Sequence, residues 1–101
     1  MTGAARQAAL LRALRQLLPD AILSVTQERP WHSLTFNGTQ LCLSAAIVGE
    51  GHNAVAAAYA RILPEFEFKL SGQLVADIAV SEQTTAGNQS SFIIHILLLD
   101  D

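Results

Sequence analysis

Charged residues are scarce in this sequence of 101 residues. Asp, Glu, Lys and Arg together make up 15%, whereas roughly a quarter is usual for a soluble domain. Only six residues are Lys or Arg, and the formal net charge is -3. A nucleic-acid-binding protein normally carries a basic stripe, because contacts with phosphates supply most of the affinity. The composition therefore argues against nucleic acid as a partner.

Cysteine is almost missing as well. Cys42 is the only one, so one chain can form neither an internal disulfide nor a cysteine-rich metal site. We therefore expect no metal and no cofactor, and a single thiol is compatible with a reducing cytoplasm. No apolar run reaches about 18 residues, so we expect no transmembrane helix and no membrane partner.

Apolar residues, in contrast, make up 50% of the chain. At this length we expect a single domain, residues 1–101, with one core. So much apolar surface with so little charge indicates either a generous core or a surface that a partner covers.

The first segment has the pattern of an amphipathic helix. Thr2 can cap a helix over residues 4–18, and Pro19 ends it. Its leucines recur at helical spacing on one stripe: Leu10, Leu11, Leu14, Leu17 and Leu18. Residues 1–18 carry three Arg and no acid, as targeting peptides do. The lack of Ser and of a cleavage site favours a helix of the domain.

Three strands are predicted next, over residues 21–27, 31–36 and 39–48, with Arg29-Pro30 as a break after the first. Asn37-Gly38 between two alternating runs predicts a hairpin with a two-residue turn. That turn sets Leu34 opposite Leu41. Its apolar face would carry Leu34, Phe36, Leu41, Leu43, Ala45 and Ile47.

A second helix is predicted over residues 53–63, with Pro64 at its end. Strands at 65–70, 74–81 and 91–99 follow, and a polar loop, 82–90, separates the last two. The apolar pattern pairs Phe66 with Ile78, Ile78 with Ile94, and Val80 with Phe92. The fold class is therefore α+β: helix, three strands, helix, three strands, with both helices on one face of an antiparallel sheet or sheets.

This order of elements is similar to two known types of domain. Its αβββα start resembles a double-stranded-RNA-binding domain, although Arg61 is the only cation of the second helix. The order αβββαββ also resembles the secretion-chaperone type, which implies small acidic dimers that bind partner chains. The final helix of those chaperones is absent here.

The stretch IVGEGHNAVAAAYA contains the pattern G-x-G-x-x-G/A at Gly49, Gly51 and Ala54. A dinucleotide site needs these glycines inside a parallel βαβ unit, and the predicted hairpin removes that context. We interpret the stretch as a turn with Asn53 as the helix cap. A small ligand or anion at the free amides of this helix start, with His52 assisting, stays an alternative.

The predicted registers place Glu67, Asp77 and His95 in one row across the second sheet. A carboxylate beside a histidine can orient it as a base, so a small enzyme with this acid–base row is a further alternative. An exposed polar row is the plainer interpretation. Cys42 with His32 would suggest a thiol nucleophile, but the predicted hairpin points the two to opposite faces.

Aliphatic side chains flank that row on the face predicted to point away from the core. An exposed sheet face should not carry so many of them, so a helix or another subunit should cover it. The leading hypothesis is therefore a non-catalytic interaction or assembly domain that forms a homodimer, with another protein as a possible partner. The predicted interface residues are Val75, Ala79, Ile93, Leu97 and Leu99.

Overall fold

The structure, a computed structural model, describes residues 3–101, with side chains from Gln7 onward. The predicted cap at Thr2 lies outside these residues. The α+β class is confirmed, but two strands rather than three follow each helix. The elements are α1 (Gly3–Leu17), β1 (Ile22–His32), β2 (Asn37–Val48), α2 (His52–Ile62), a 3-10 turn (Leu63–Glu65), β3 (Gln73–Ala86) and β4 (Gln89–Asp100).

The strands form one antiparallel sheet in the order β1-β2-β4-β3. Both helices pack on the same face of it, and the core lies between. The side chains of that core are almost completely buried: Leu10, Leu14 and Leu18 from the α1 end, Leu41, Leu43, Ala45 and Ile47 from β2, Phe92, Ile94, Ile96 and Leu98 from β4, and Ala56, Leu63 and Ile78.

The α1 stripe was predicted correctly because its spacing alone decides which leucines face the sheet. Leu11 and Leu17 lie at its margins and are partly buried against the core. The buried Gln7 amide donates a hydrogen bond to the Glu28 carboxylate and so ties α1 to β1. In the described part of the chain, no helix is long and apolar enough to cross a membrane.

The predicted hairpin turn at Asn37-Gly38 is wrong. Both residues belong to β2, and the turn is formed by residues 33–36, with His32 paired to Asn37. The Ser33 hydroxyl accepts hydrogen bonds from the backbone N–H groups of Thr35 and Phe36, which stabilises this longer loop. As a result Leu34 is fully exposed and Phe36 is half exposed, not in the core.

Gly38 has a different role from the predicted one. Its Cα lies so close to β4 that an added Cβ would sit 2.3 Å from the Leu98 carbonyl oxygen and 2.9 Å from Leu99 Cδ2. The glycine therefore permits close approach of two strands, a common reason for glycine inside a strand.

In the second half, the predicted strand 65–70 does not form. After the 3-10 turn the chain runs without regular structure to Leu70, which bridges to Gln73. The expected loop 82–90 is also wrong, because β3 continues to Ala86 and β4 starts at Gln89. Ile78 pairs with Ile96 and Val80 with Ile94, a shift of two residues from the prediction that leaves the same side chains facing the core.

Both edge strands contain irregularities that the sequence did not reveal. The pairing shifts between Val25 and Gln27 in β1, and between Val75 and Asp77 and between Ser81 and Thr84 in β3. An extra residue in a strand reverses the face on which the following side chains lie. These bulges therefore decide which residues reach the uncovered face.

Glu82 lies in the second bulge of β3 and has a φ of 53°, the one positive value among described residues other than glycine. This left-handed conformation costs a residue with a Cβ about 1–2 kcal/mol. We expect Glu82→Gly to raise the free energy of unfolding by about 1 kcal/mol, measured by urea denaturation. The neighbouring Gln83→Gly is the control and should lower it by about 0.5–1 kcal/mol; equal effects would contradict this assignment of strain.

Candidate functional site

The second face of the sheet is uncovered by any helix among residues 3–101, and we call it the open face. Its side chains form rows that the strand pairing defines. Every row has one residue from each strand, in the order β1, β2, β4, β3. Four consecutive rows are Trp31–Gly38–Leu99–Leu74, Arg29–Gln40–Leu97–Asp77, Gln27–Cys42–His95–Ala79 and Ser24–Ser44–Ile93–Ser81.

The second of these, the charged row, has opposite charges at its two ends. Arg29 lies on edge strand β1 and Asp77 on edge strand β3, so about 14 Å of sheet separates them. Gln40 and Leu97 occupy the positions between. The Gln27 amide, with its oxygen turned toward Arg29, accepts from Nε at 3.0 Å and from Nη2 at 3.2 Å. That contact holds the guanidinium over the face.

The next row, the cysteine row, carries the reactive side chains. Cys42 Sγ lies 3.3 Å from His95 Nδ1, and His95 Nε2 lies 2.9 Å from the Ser81 hydroxyl oxygen. Both ring nitrogens of His95 therefore have a partner, which fixes the ring plane. Because Cys42 is partly exposed and His95 is exposed, the pair is open to a ligand from outside the chain.

An open cleft of about 330 Å³ runs over these two rows. Its lining combines both charges with the thiol and the imidazole: Gln27, Arg29, Gln40, Cys42, Asp77 and His95. Leu97 supplies an apolar part of the lining. The cleft is thus a mixed polar and apolar surface, not an enclosed pocket.

The predicted row of Glu67, Asp77 and His95 is not assembled. Asp77 and His95 do share the cleft, although they lie in adjacent rows. Glu67 lies in the irregular segment after the 3-10 turn and lines another cleft, against the end of α1. Apart from the bridge between Leu70 and Gln73, the segment around Glu67 does not pair with β3, and its Phe68 packs against the core.

Four of the five predicted interface residues lie in the rows of the open face. Ala79 is exposed, Ile93 and Leu97 are half-buried, and Leu99 is buried beside Gly38. Val75 is the exception, because it pairs with Leu98 and packs against the core. The bulge between Val75 and Asp77 separates two residues that a regular strand would place on one face.

The turn at Gly49–Asn53 is anchored to the β3–β4 hairpin. The helix cap is Gly51, in a left-handed conformation, and not Asn53 as predicted. His52 Nδ1 lies 2.6 Å from the buried Ser90 hydroxyl oxygen, and Asn53 Oδ1 accepts from Thr85 at 3.3 Å. An anion site here stays a prediction, but two of its candidate side chains, His52 and Asn53, already bond within the chain.

A second anchor lies at the other end of α2. The Tyr59 hydroxyl donates to the Asp20 carboxylate at 3.0 Å and so joins α2 to the turn after α1. Burial raises the pKa of Tyr59, and the neighbouring Asp20 charge acts in the same direction. This contact is on the helix side and plays no part in the open face.

The sequence interpretation missed or misassigned several contributors to the site, Gln27 and Gln40 among them. Arg29 was treated as part of a strand break, Ser81 was not considered, and Cys42 was matched with His32 rather than His95. Cys42 and His95 are 53 positions apart and meet only through the pairing of β2 with β4. The available signal was the alternation in β2, which places Cys42 on the other face of the strand from the buried Leu41 and Leu43.

Comparison with known proteins identifies no relative: the chain matches no family model, no curated protein and no solved structure.

Proposed function

We propose that this protein is a non-catalytic assembly domain that forms a homodimer through the open face of its sheet. The observation that carries the proposal is the self-complementarity of the rows on that face. A cytoplasmic location belongs to the same proposal, because a reducing compartment keeps Cys42 on this face as a thiol.

The open face has the size that a dimer needs. Four strands of 11 to 14 residues make a face on the order of 700 Å². Stable interfaces bury about 800 Å² on each partner. The exposed aliphatic side chains Ile22 and Val48 extend this surface beyond the central rows.

The two central strands differ in side-chain size in a complementary way. β2 presents mainly small residues to the open face, namely Gly38, Cys42, Ser44 and Ala46. β4 presents larger ones, namely Leu97, His95 and Ile93, whereas Leu99 is already buried beside Gly38 of its own chain. A two-fold axis that runs along the strands, between β2 and β4, places β4 of each copy over β2 of the other. Large side chains then meet small ones, which is how packed layers interdigitate.

The same axis pairs the charges. It places Arg29 of one copy over Asp77 of the partner subunit, and the reverse contact forms at the other end of the row. A two-fold axis across the strands would instead place each strand over its own copy. The charged row would then face a different row, or Arg29 would face Arg29 and Asp77 would face Asp77, so neither charge would meet an opposite one. The charged row therefore selects one geometry.

Pairing through the sheet edges is disfavoured. An edge strand can extend a sheet only if its backbone groups are regularly spaced and free. β1 contains Pro30 and one bulge, and β3 contains two bulges. Such features protect edges from pairing, so the face is the better surface for self-association.

The charged row provides the test of this geometry. We expect Arg29→Asp and Asp77→Arg each to raise the dimer dissociation constant at least about tenfold, because each creates two like-charge contacts per dimer. The double variant should restore the native value, since it re-forms both pairs in reverse. Sedimentation equilibrium over a range of concentrations measures all four proteins.

Two results would contradict the proposal. A native protein that stays monomeric at high concentration would exclude the dimer. A double variant no better than the singles would exclude the Arg29–Asp77 contact between copies. Glu65→Arg, an exposed charge reversal in the 3-10 turn and off the open face, is the matched control and should leave the dissociation constant unchanged.

A further inference from the structure

We infer that the dimer binds one zinc-class cation on its two-fold axis, through Cys42 and His95 of both copies. This inference rests on the proposed dimer. It departs from the sequence-based expectation of no metal, because one chain alone supplies too few ligands and only two chains together supply four. Within one copy, residues 3–101 bring no three His, Cys, Asp or Glu side chains together around a metal position.

The geometry of the Cys42–His95 pair fits two corners of a tetrahedral site. Zinc binds sulfur at about 2.3 Å and nitrogen at about 2.0 Å, so two such ligands at a tetrahedral angle lie about 3.5 Å apart. Cys42 Sγ and His95 Nδ1 are 3.3 Å apart. The pair therefore needs almost no movement to bind one ion.

Ser81 supplies the support that a histidine ligand usually has. A ligating histidine commonly gives the N–H of its other ring nitrogen to a hydrogen-bond acceptor, which fixes the tautomer and the ring orientation. His95 Nε2 lies 2.9 Å from the Ser81 hydroxyl oxygen. A proton on Nε2 leaves the Nδ1 lone pair directed to the side of Cys42, where the ion would bind.

The proposed axis completes the site. It passes between β2 and β4, so Cys42 of one copy lies over His95 of the partner subunit, and two thiols and two imidazoles converge. Packed sheets are about 10 Å apart, a gap that side chains from both faces fill. Two sulfur and two nitrogen ligands in a tetrahedron favour zinc over magnesium or calcium, which prefer oxygen ligands.

Titration with Co²⁺ under reducing conditions, followed by displacement with Zn²⁺, tests this site. We expect one Co²⁺ per two chains, with a thiolate-to-cobalt charge-transfer band and the visible bands of tetrahedral cobalt. Cys42→Ser and His95→Gln should abolish the bands. Ser81→Ala should weaken affinity about tenfold or more while it keeps the spectrum. His32→Gln, an exposed histidine of β1, is the control and should bind as the native protein does.

Sedimentation with and without a chelator separates this inference from the dimer itself. If the dimer persists in chelator, and the titration without chelator gives no cobalt bands, the metal site is overturned but the dimer is not. Binding of one ion per monomer, without association, overturns the shared site and the dimer together. Loss of the bands in His32→Gln would overturn the assignment of ligands.

Discussion

Ile93→Asp should convert the dimer into a monomer and leave the fold of each chain unchanged. Ile93 is half-buried in the isolated chain and lies on the open face, so a carboxylate there can remain in water. In the dimer, two such carboxylates would be buried in a row that contains no cationic side chain, only Ser24, Ser44 and Ser81 besides position 93. Each buried carboxylate should make dimer formation less favourable by at least about 3 kcal/mol, so the dissociation constant should rise on the order of 10⁴-fold.

Light scattering across a range of concentrations measures this change, and thermal unfolding checks the fold. Ile62→Asp is the matched control, because Ile62 is an aliphatic residue of α2 that is 40% exposed and lies away from the open face. It should not alter the association state. If both variants stay dimeric, the copies associate through another surface.

Gly38→Ala is the substitution expected to destabilise the isolated chain most. The new Cβ would overlap the Leu98 carbonyl oxygen of β4, a backbone atom that cannot move alone. Overpacking of this kind costs about 2–3 kcal/mol, which corresponds to a fall in Tm of roughly 10–20 °C for a domain of this size. Thermal and urea unfolding measure both quantities.

Gly72→Ala separates the steric effect from the conformational one. Gly72 has a φ of 75°, and a Cβ there would meet no atom within 4 Å. Gly72→Ala should therefore lower the free energy of unfolding only through its unfavourable backbone conformation, by about 1 kcal/mol. Equal losses for the two variants would show that close approach to β4 is not the function of Gly38.

Features that depend on neighbouring residues in the chain could be predicted. The α1 leucines and the alternating residues Leu41, Leu43, Ala45 and Ile47 are buried as expected, because spacing alone sets their common face. Pro30 was misinterpreted as a break. It lies in an edge strand, where proline is tolerated because one side of the strand needs no partner.

Features that depend on distant pairing could not be predicted. The position of Val75 was wrong because a bulge leaves no clear mark in composition. The meeting of Cys42 with His95 required the β2–β4 register, whereas the predicted hairpins paired strands only within each half of the chain. Gly38 was assigned to a turn because its close neighbours, Leu98 and Leu99, are about 60 positions away.

The strand order has a consequence for how the chain folds. β2 is a central strand, yet its partner β4 is far away in the sequence. The paired residues are separated by 41 positions at Val48 and Gln89, and by 61 positions at Gly38 and Leu99. One edge of β2 therefore stays unpaired until α2, β3 and β4 have been synthesised and a long loop has closed. Folding rates fall as contacts become less local, so we expect slow folding for a chain of this size. During that interval the alternating apolar β2 strand is the segment most exposed to aggregation.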